Sequence, residues 1–468
     1  MSDMQISRLF DQMIPFLNEH KYEENAKNFL FSLLLFRLES IRAGSESIAF
    51  PPQLTWEELR KNRNGLKHQL CHALHMLEEA KPKYRGILYP DSLEEFQDQE
   101  ISAVFDIIGE LPTDQGEKAE RELVHFYEII AGHMAPESSK QMGEYNTPRM
   151  VGDLMVKLLE PEGGSIYDPC CGSGSILTSA ADYLRKKNRR FQLYGQEANE
   201  SAWKAARVNL ILRGIDGDLG EIPADSIRQD MHPELKADYV LGNPPFHGAG
   251  WSQRLPEGDI RWKYGIPSPK KGDFAWMQHM LYHLKEDGKM GAIFSNGILN
   301  SRRTKDIRIR AGILQEDMLE AIITLPAGMF YATKVSVSLW IFRKQKKAVC
   351  RNKILLVDAR KFGRTENGIT VLSEEEQKEL IQIYQDYQDG IHREQWKFCR
   401  QISVSEVEGE DFSLAPERYI ARKKQSLPES KELEKREYEL ELRLRNLLEE
   451  NQTVLRQISH ERQPIRVE

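Results

Sequence analysis

The chain has 468 residues, 40% of them hydrophobic and 29% charged, enough to bury a sizeable core and too many for one ordinary domain, so two or three domains are expected. No run approaches the roughly 18 uncharged apolar residues of a membrane span, and the opening MSDMQISRLFDQM lacks the pattern of a secretion signal, so a soluble, cytoplasmic protein without a membrane partner is expected. Five cysteines with no CxxC pair argue against a disulfide framework and a zinc knuckle, leaving no metal expected, and a formal charge of −7 argues against unaided nucleic-acid binding.

Residues 1–140 read as an all-helical domain. Apolar residues recur at helical spacing in NFLFSLLLFRLESI, around His68–Leu77 and in ISAVFDIIGEL, and the alternating runs of strands are scarce. From about 145 the texture changes to short strand-like runs (SIYDP, FQLYGQE, ADYVLGNPP, MGAIFSN, LEAIITLP, SVSLWIF), several separated by amphipathic stretches such as SAWKAARVNLILRG and FAWMQHMLYHLKEDG. Strands alternating with helices predict an α/β domain over 141–420, a Rossmann-like, mostly parallel sheet covered on both faces. No internal repeat interrupts it.

The run Ser165–Ile176, SIYDPCCGSGSI, places an apolar strand before Asp168, Pro169 and the turn Gly172-Ser173-Gly174, then opens a helix. Glycines there let a ligand approach the backbone at the carboxyl end of a strand, although an ordinary tight turn has the same composition. The next strand ends in Tyr194-Gly195-Gln196-Glu197, and one carboxylate can accept from both hydroxyls of a ribose. The pairing points to a nucleoside cofactor. The adjacent Cys170 and Cys171 suit the crowded turn as small residues.

Asp238–Phe246, DYVLGNPPF, is a buried strand followed by Asn243, Pro244, Pro245 and Phe246. An exocyclic amine of a base is a poor nucleophile because its lone pair is delocalised into the ring. Two carbonyl acceptors on its N–H bonds would free that lone pair. Asn243 offers a side-chain carbonyl and Pro244 a backbone one, while the prolines stiffen the turn and Phe246 gives a face on which a flipped base can stack.

His247–Gly272 reads as an inserted loop whose Trp251, Arg254, Arg261, Trp262, Lys263, Tyr264, Lys270 and Lys271 mix cations with aromatics, a composition suited to closing over nucleic acid or simply to a solvated surface. Residues 421–468 form a charged helical tail. Leu440, Leu444, Leu447, Asn451, Val454 and Ile458 fall on a coiled-coil seam that either meets a partner or folds back on the chain.

Gly143-Glu144-Tyr145-Asn146-Thr147-Pro148, then DPCCGSG, then NPPF resembles the N6-adenine DNA methyltransferases, above all the modification subunits of type I restriction-modification systems. Gly272-Asp273-Phe274, GKMGAIFSNGIL, LPAGMFYATKVSVSLWIFRK and FSLAPERYI follow in the same order, so the likeness covers 140–420 well; Phe126-Tyr127-Glu128 is the one matching element of the helical domain. The resemblance implies transfer of a methyl group from S-adenosylmethionine to a flipped-out adenine, with Asn243, Pro244, Pro245 and Phe246 catalytic. It places Thr147, Pro148, Asp168, Gly172, Ser173, Gly174, Glu197, Asp230 and Asn243 on the cofactor, with Asp230 beside its adenine if Ala224–Asp230 ends a third strand. It also implies DNA, a specificity subunit carrying two copies of this chain, and a restriction subunit as partners. A protein glutamine methyltransferase shares the NPP-aromatic tetrapeptide, and a silent cofactor-binding scaffold is the other alternative.

Overall fold

In a computed structural model the described residues are 3–20, 24–42, 51–111, 116–133, 147–245, 258–268, 271–330, 335–366, 368–391, 398–420 and 443. Six helices come first: α1 (Asp3–Glu19), α2 (Glu24–Arg42), α3 (Trp56–Lys61), α4 (Leu66–Ala80), α5 (Asp98–Gly109) and α6 (Glu117–His133). The run NFLFSLLLF is apolar all round because α2 is central, buried from Phe29 through Phe36 among its neighbours. Its buried Arg37 stays tolerable by donating to Glu57 at 2.9 Å and to the Leu111 carbonyl at 3.2 Å.

The second part alternates. Helix α7 (Arg149–Leu159) leads into β1 (Gly164–Asp168), α8 (Ser175–Lys186), β2 (Phe191–Gly195), α9 (Glu200–Leu212), β3 (Gly217–Asp218), β4 (Ala237–Gly242), α10 (Asp273–Tyr282) and β5 (Leu284–Ser295). Then follow α11 (Thr304–Gln315), β6 (Leu319–Thr324), β7 (Val337–Arg343), β8 (Lys353–Asp358), the hairpin β9 (Arg364–Glu366) and β10 (Ile369–Val371), α12 (Glu374–Gln388), β11 (Cys399–Ser403) and α13 (Val404–Gly409). Nine strands make one sheet in the order β11-β8-β6-β7-β5-β4-β1-β2-β3. Pairing is parallel from β3 through β5 and between β6 and β8; β7 runs antiparallel to both β5 and β6, as β11 does to β8. Unbroken burial along β6 and nearly all of β7 shows both faces covered, as expected of a Rossmann-like sheet.

Met1–Pro416 form one compact unit and Glu417–Glu468 a second. The helical part and the sheet are joined through α9, whose Val208 and Leu212 belong to the apolar core of α1–α6. Tyr127 donates to the Ala205 carbonyl at 2.9 Å, and Arg207 donates to the carbonyls of Arg85 and Lys83. The segment 134–146 and nearly all of the tail, including its coiled-coil seam, lie outside the described residues. No helix among the described residues is long and apolar enough to cross a membrane.

Two strand-level expectations change. FAWMQHMLYHLKEDG is helical only to Tyr282, and its LKEDG end opens β5. The third strand is the short β3, so Ala224–Asp230 is a run of turns beyond the sheet rather than a strand end.

Candidate active site at the strand ends

The carboxyl end of β1 delivers Asp168 into a turn that must close within six residues before α8 begins. Gly172 and Gly174 take left-handed backbone, φ 54° and 78°, which other residues adopt only with strain. A Cβ on Gly174 would meet that of Ala206 at 3.4 Å, whereas one on Gly172 would find nothing within 4 Å. The turn therefore packs on α9 at one glycine and opens outward at the other. Its frame is backbone: Gln196 donates to the Asp168 carbonyl, Cys171 to the Gln196 carbonyl and Gly174 to the Cys171 carbonyl.

Glu197 lies beside this turn. Its Oε2 accepts from Gly172 N at 2.9 Å and its Oε1 from Asn199 N at 2.8 Å, so the carboxylate is fixed in place by two backbone donors. Asp168 is buried; its Oδ1 accepts from Cys170 N at 3.1 Å, while its Oδ2 has no partner among the described residues. Burial, reinforced by the charge of Glu197 and only partly offset by Cys170, raises its carboxyl to about 7. The thiols of Cys170 and Cys171 are pushed well above their ordinary range by burial, which leaves them packing groups.

One strand over, β4 ends at Gly242 with Asn243 next. Gly242 is the close approach that makes this possible, since a Cβ there would stand 3.4 Å from Asp168 Oδ1 and 3.1 Å from Met280. The Asn243 amide donates from Nδ2 to Thr147 Oγ1 at 3.0 Å, and its Oδ1 is buried without a partner among the described residues. Thr147 is itself tied to the glycine turn, accepting at its carbonyl from Ser175 Oγ at 3.2 Å, and Pro148 caps α7. Thus Thr147, Asp168, the glycine turn, Glu197, Asn243 and the buried Pro244 form one site. Phe246 and residues 143–146 lie outside the described residues.

Asp230 is used differently. Its Oδ1 accepts from His232 N and its Oδ2 from His283 Nε2 at 3.0 Å; against the effect of burial, these bonds and nearby His279 hold it at about 2. Asp230, His279 and His283 lie close enough to share an ion. Arg261, however, donates to His279 Nδ1 at 3.0 Å, which keeps the ring proton on the inward nitrogen and makes this a hydrogen-bonded network. Asp225 also lies near the strand ends, where its Oδ1 accepts from Ile227 N at 2.9 Å and its Oδ2 pairs with Arg228. Ala224 N donates to the Glu197 carbonyl at 2.8 Å and Ser226 Oγ to the Pro169 carbonyl, pinning Asp225 against both strand ends.

The described end of the inserted loop is also committed to the fold. Arg261 is spent on Asp259, on the carbonyls of Ser226 and Ile227 and on His279; Lys263 and Tyr264 both bond Glu316, and Trp262 is buried. These four anchor the loop and do not present a free cationic surface; Trp251, Arg254 and Lys270 lie outside the described residues. A second chain of contacts went unread. Glu128 pairs with Arg213, Arg213 donates to Asn209 Oδ1, and Asn209 Nδ2 holds the Ser173 carbonyl at 3.0 Å, so the helical domain braces the glycine turn. Glu128 was visible within Phe126-Tyr127-Glu128, but nothing in the sequence pairs it with Arg213.

Residues 118–427 match the N-6 DNA Methylase family. The chain belongs to that family. The HindI type I restriction enzyme methylase subunit of Haemophilus influenzae is 30% identical over 376 residues, covering 77% of this chain and 84% of that protein. The MjaIX type I methylase subunit of Methanocaldococcus jannaschii is 27% identical over 426 residues, covering 87% and 75%. A crystal structure of the type I restriction-modification system methyltransferase subunit from Streptococcus thermophilus superposes with a TM-score of 0.75 over 89% of this chain and 98% of that one; at 24% identity it speaks for the fold. The family, the fold class and the DNA methyltransferase activity expected from the sequence all stand.

Asp168 makes a pH-dependent prediction. Its carboxyl ionises at its ordinary 3.8 in the unfolded chain and at about 7 in the fold, so between these values the folded state binds more protons and stability from this group falls as pH rises. In Asp168→Asn that loss disappears. The Tm of the ligand-free variant, measured by scanning calorimetry against wild type, should gain at least about 2 °C between pH 4 and pH 7.5. A gap independent of pH contradicts the buried carboxyl.

Proposed function

We propose that this DNA methyltransferase of the type I modification-subunit class transfers the methyl group of S-adenosylmethionine to N6 of an adenine flipped out of DNA. The observation that carries the reading is the buried, unpaired Oδ1 of Asn243 beside the Pro244 backbone, one strand from Asp168 and the glycine turn. A buried acceptor without a partner is unfavourable and is retained where a ligand supplies the donor. The two N–H bonds of the adenine amine meet the Asn243 and Pro244 carbonyls, which draws the nitrogen toward tetrahedral geometry and frees its lone pair. Pro245 stiffens the turn, and Phe246 stacks on the base.

The residues present fit the cofactor. Asp168 Oδ2 offers a buried acceptor for its cationic amino end, and Gly172 leaves open backbone where a side chain would intrude, with Ser173 and the packed Gly174 completing the turn. Glu197 takes the ribose, Asp225 in place of Asp230 lies beside the adenine, and Thr147 and Pro148 line the methionine end along with Asn243. When bound, S-adenosylmethionine supplies the methyl group as an electrophile.

The partners are DNA, a specificity subunit that carries two copies of this chain and selects the sequence, and a restriction subunit. A chain of net charge −7 gains from such help in holding phosphates. The tail seam from Leu440 to Ile458 is the surface that meets the specificity subunit.

In the assembled enzyme, Asn243→Ala should lower methyl transfer by about 10²–10³ or more while leaving the affinity for S-adenosylmethionine nearly unchanged. Mass spectrometry of nucleosides from wild-type product should find N6-methyladenine, and N4-methylcytosine in its place overturns the substrate. Deleting residues 430–468 should abolish co-purification with the specificity subunit and leave cofactor affinity intact. A truncated chain that still assembles rules the tail out as the interface.

A further inference from the structure

The parallel register that pairs Gly242 with Ala292 sets β5 directly beside β4, and β5 runs on to Ser295, past the level of Asn243. Ser295 is only 2% exposed, yet its hydroxyl has no hydrogen-bond partner among the described residues. Two residues on, Gly297 is exposed. A Cβ on Gly297 would lie 3.7 Å from Ser295 Oγ and 3.7 Å from Lys271 Nζ, so the missing side chain keeps open a recess on which a buried hydroxyl and an ammonium converge. Among the described residues no acid pairs with Lys271, in contrast to Arg261 and Lys263 nearby.

We propose that this recess seats the target nucleotide, with the Ser295 hydroxyl donating to a ring nitrogen of the adenine and the Lys271 ammonium meeting its phosphate. The chemistry selects this occupant. Once the amine is held by the Asn243 and Pro244 carbonyls, every polar atom left on an adenine ring is an acceptor, and a hydroxyl hydrogen is the complement. A flipped nucleotide brings its backbone with it, and a lysine is a suitable point charge for a phosphate. Ser295 thereby fixes the ring while Asn243 acts on the amine. This makes Ser295 and Lys271 substrate-binding residues on a strand neighbouring the NPPF turn. The proposal rests on the reading of Asn243 as the group that holds the amine.

The test uses the assembled enzyme and duplexes whose target adenine is replaced by its 1-deaza, 3-deaza or 7-deaza analogue, each lacking one ring nitrogen. Wild type should lose about tenfold or more in kcat/KM on one of the three, the equivalent of one hydrogen bond. Ser295→Ala, and the near-isosteric Ser295→Cys, should be slower on adenine and show no further loss on that analogue, with unchanged affinity for S-adenosylmethionine reporting an intact fold. Lys271→Ala should raise the KM for DNA and reduce the slope of log affinity against log salt by about 0.9. The proposal is overturned if wild type ignores all three analogues, if the Ser295 variants discriminate as wild type does, or if Lys271→Ala leaves the slope unchanged. Formation of N6-methyladenine by wild type on ordinary DNA keeps the parent reading intact in each of those cases.

Discussion

The hydrogen bond from Asn243 Nδ2 to Thr147 Oγ1 decides which way the amide faces, and the catalytic reading depends on that direction. With the nitrogen occupied by Thr147, the carbonyl oxygen is left buried and without a partner among the described residues, free to accept from a ligand. The bond needs two distant stretches of chain to meet. Thr147 stands at the head of α7, fixed by Ser175 of the glycine-turn helix, and Asn243 follows β4, held close to β1 because Gly242 has no side chain. The glycine turn and the turn after β4 are in this way one construction, and moving either would displace the other.

The electrostatics of the strand ends divide the acids by purpose. Asp230 is fully engaged with His283 and the His232 backbone and is held at about 2, a structural carboxylate. Asp168, with one oxygen unpartnered and its carboxyl raised to about 7, carries an unfavourable burial that a cationic ligand would relieve. Asn243 Oδ1 and Ser295 Oγ repeat the pattern with neutral groups. These three unsatisfied atoms thus lie at the carboxyl ends of the neighbouring strands β1, β4 and β5, where open α/β folds bind ligands. Behind them the support is ordinary and complete: Asn209 on the Ser173 carbonyl, Arg213 on Asn209 and Glu128 on Arg213 carry the stiffness of the helical core to the glycine turn.

Most of the candidate site was legible because its residues are local in sequence. DPCCGSG and NPPF each put a strand, a turn and the functional side chains within a dozen residues, and the strands of β1, β2, β4, β6 and β7 announce themselves as short apolar runs. The third strand did not, since β3 is two exposed residues held by β2 alone, and the resemblance puts the strand end at Ala224–Asp230, where the chain instead forms turns. LKEDG continues an amphipathic stretch in the sequence, whereas it opens a strand in which Glu286 and Asp287 are exposed and Met290–Ser295 are buried. Lys263 reads as a free cation because Glu316, the acid that pairs with it, is a helix end far along the chain, whereas Asp259, which holds Arg261, stands two residues away and was open to reading from the sequence. The border near 140 was read from texture, but α9 contributes to the helical core across it.

The claim that Thr147 acts on the reaction by aiming the Asn243 amide is tested most directly by a double-mutant cycle on single-turnover methyl transfer at saturating cofactor. Thr147→Val, Asn243→Ala and the double variant are compared in the assembled enzyme. If the hydrogen bond sets the carbonyl, Thr147→Val slows transfer when Asn243 is present and has no further effect when it is Ala. Losses that simply multiply in the double variant would show that the two residues act independently and would contradict the account.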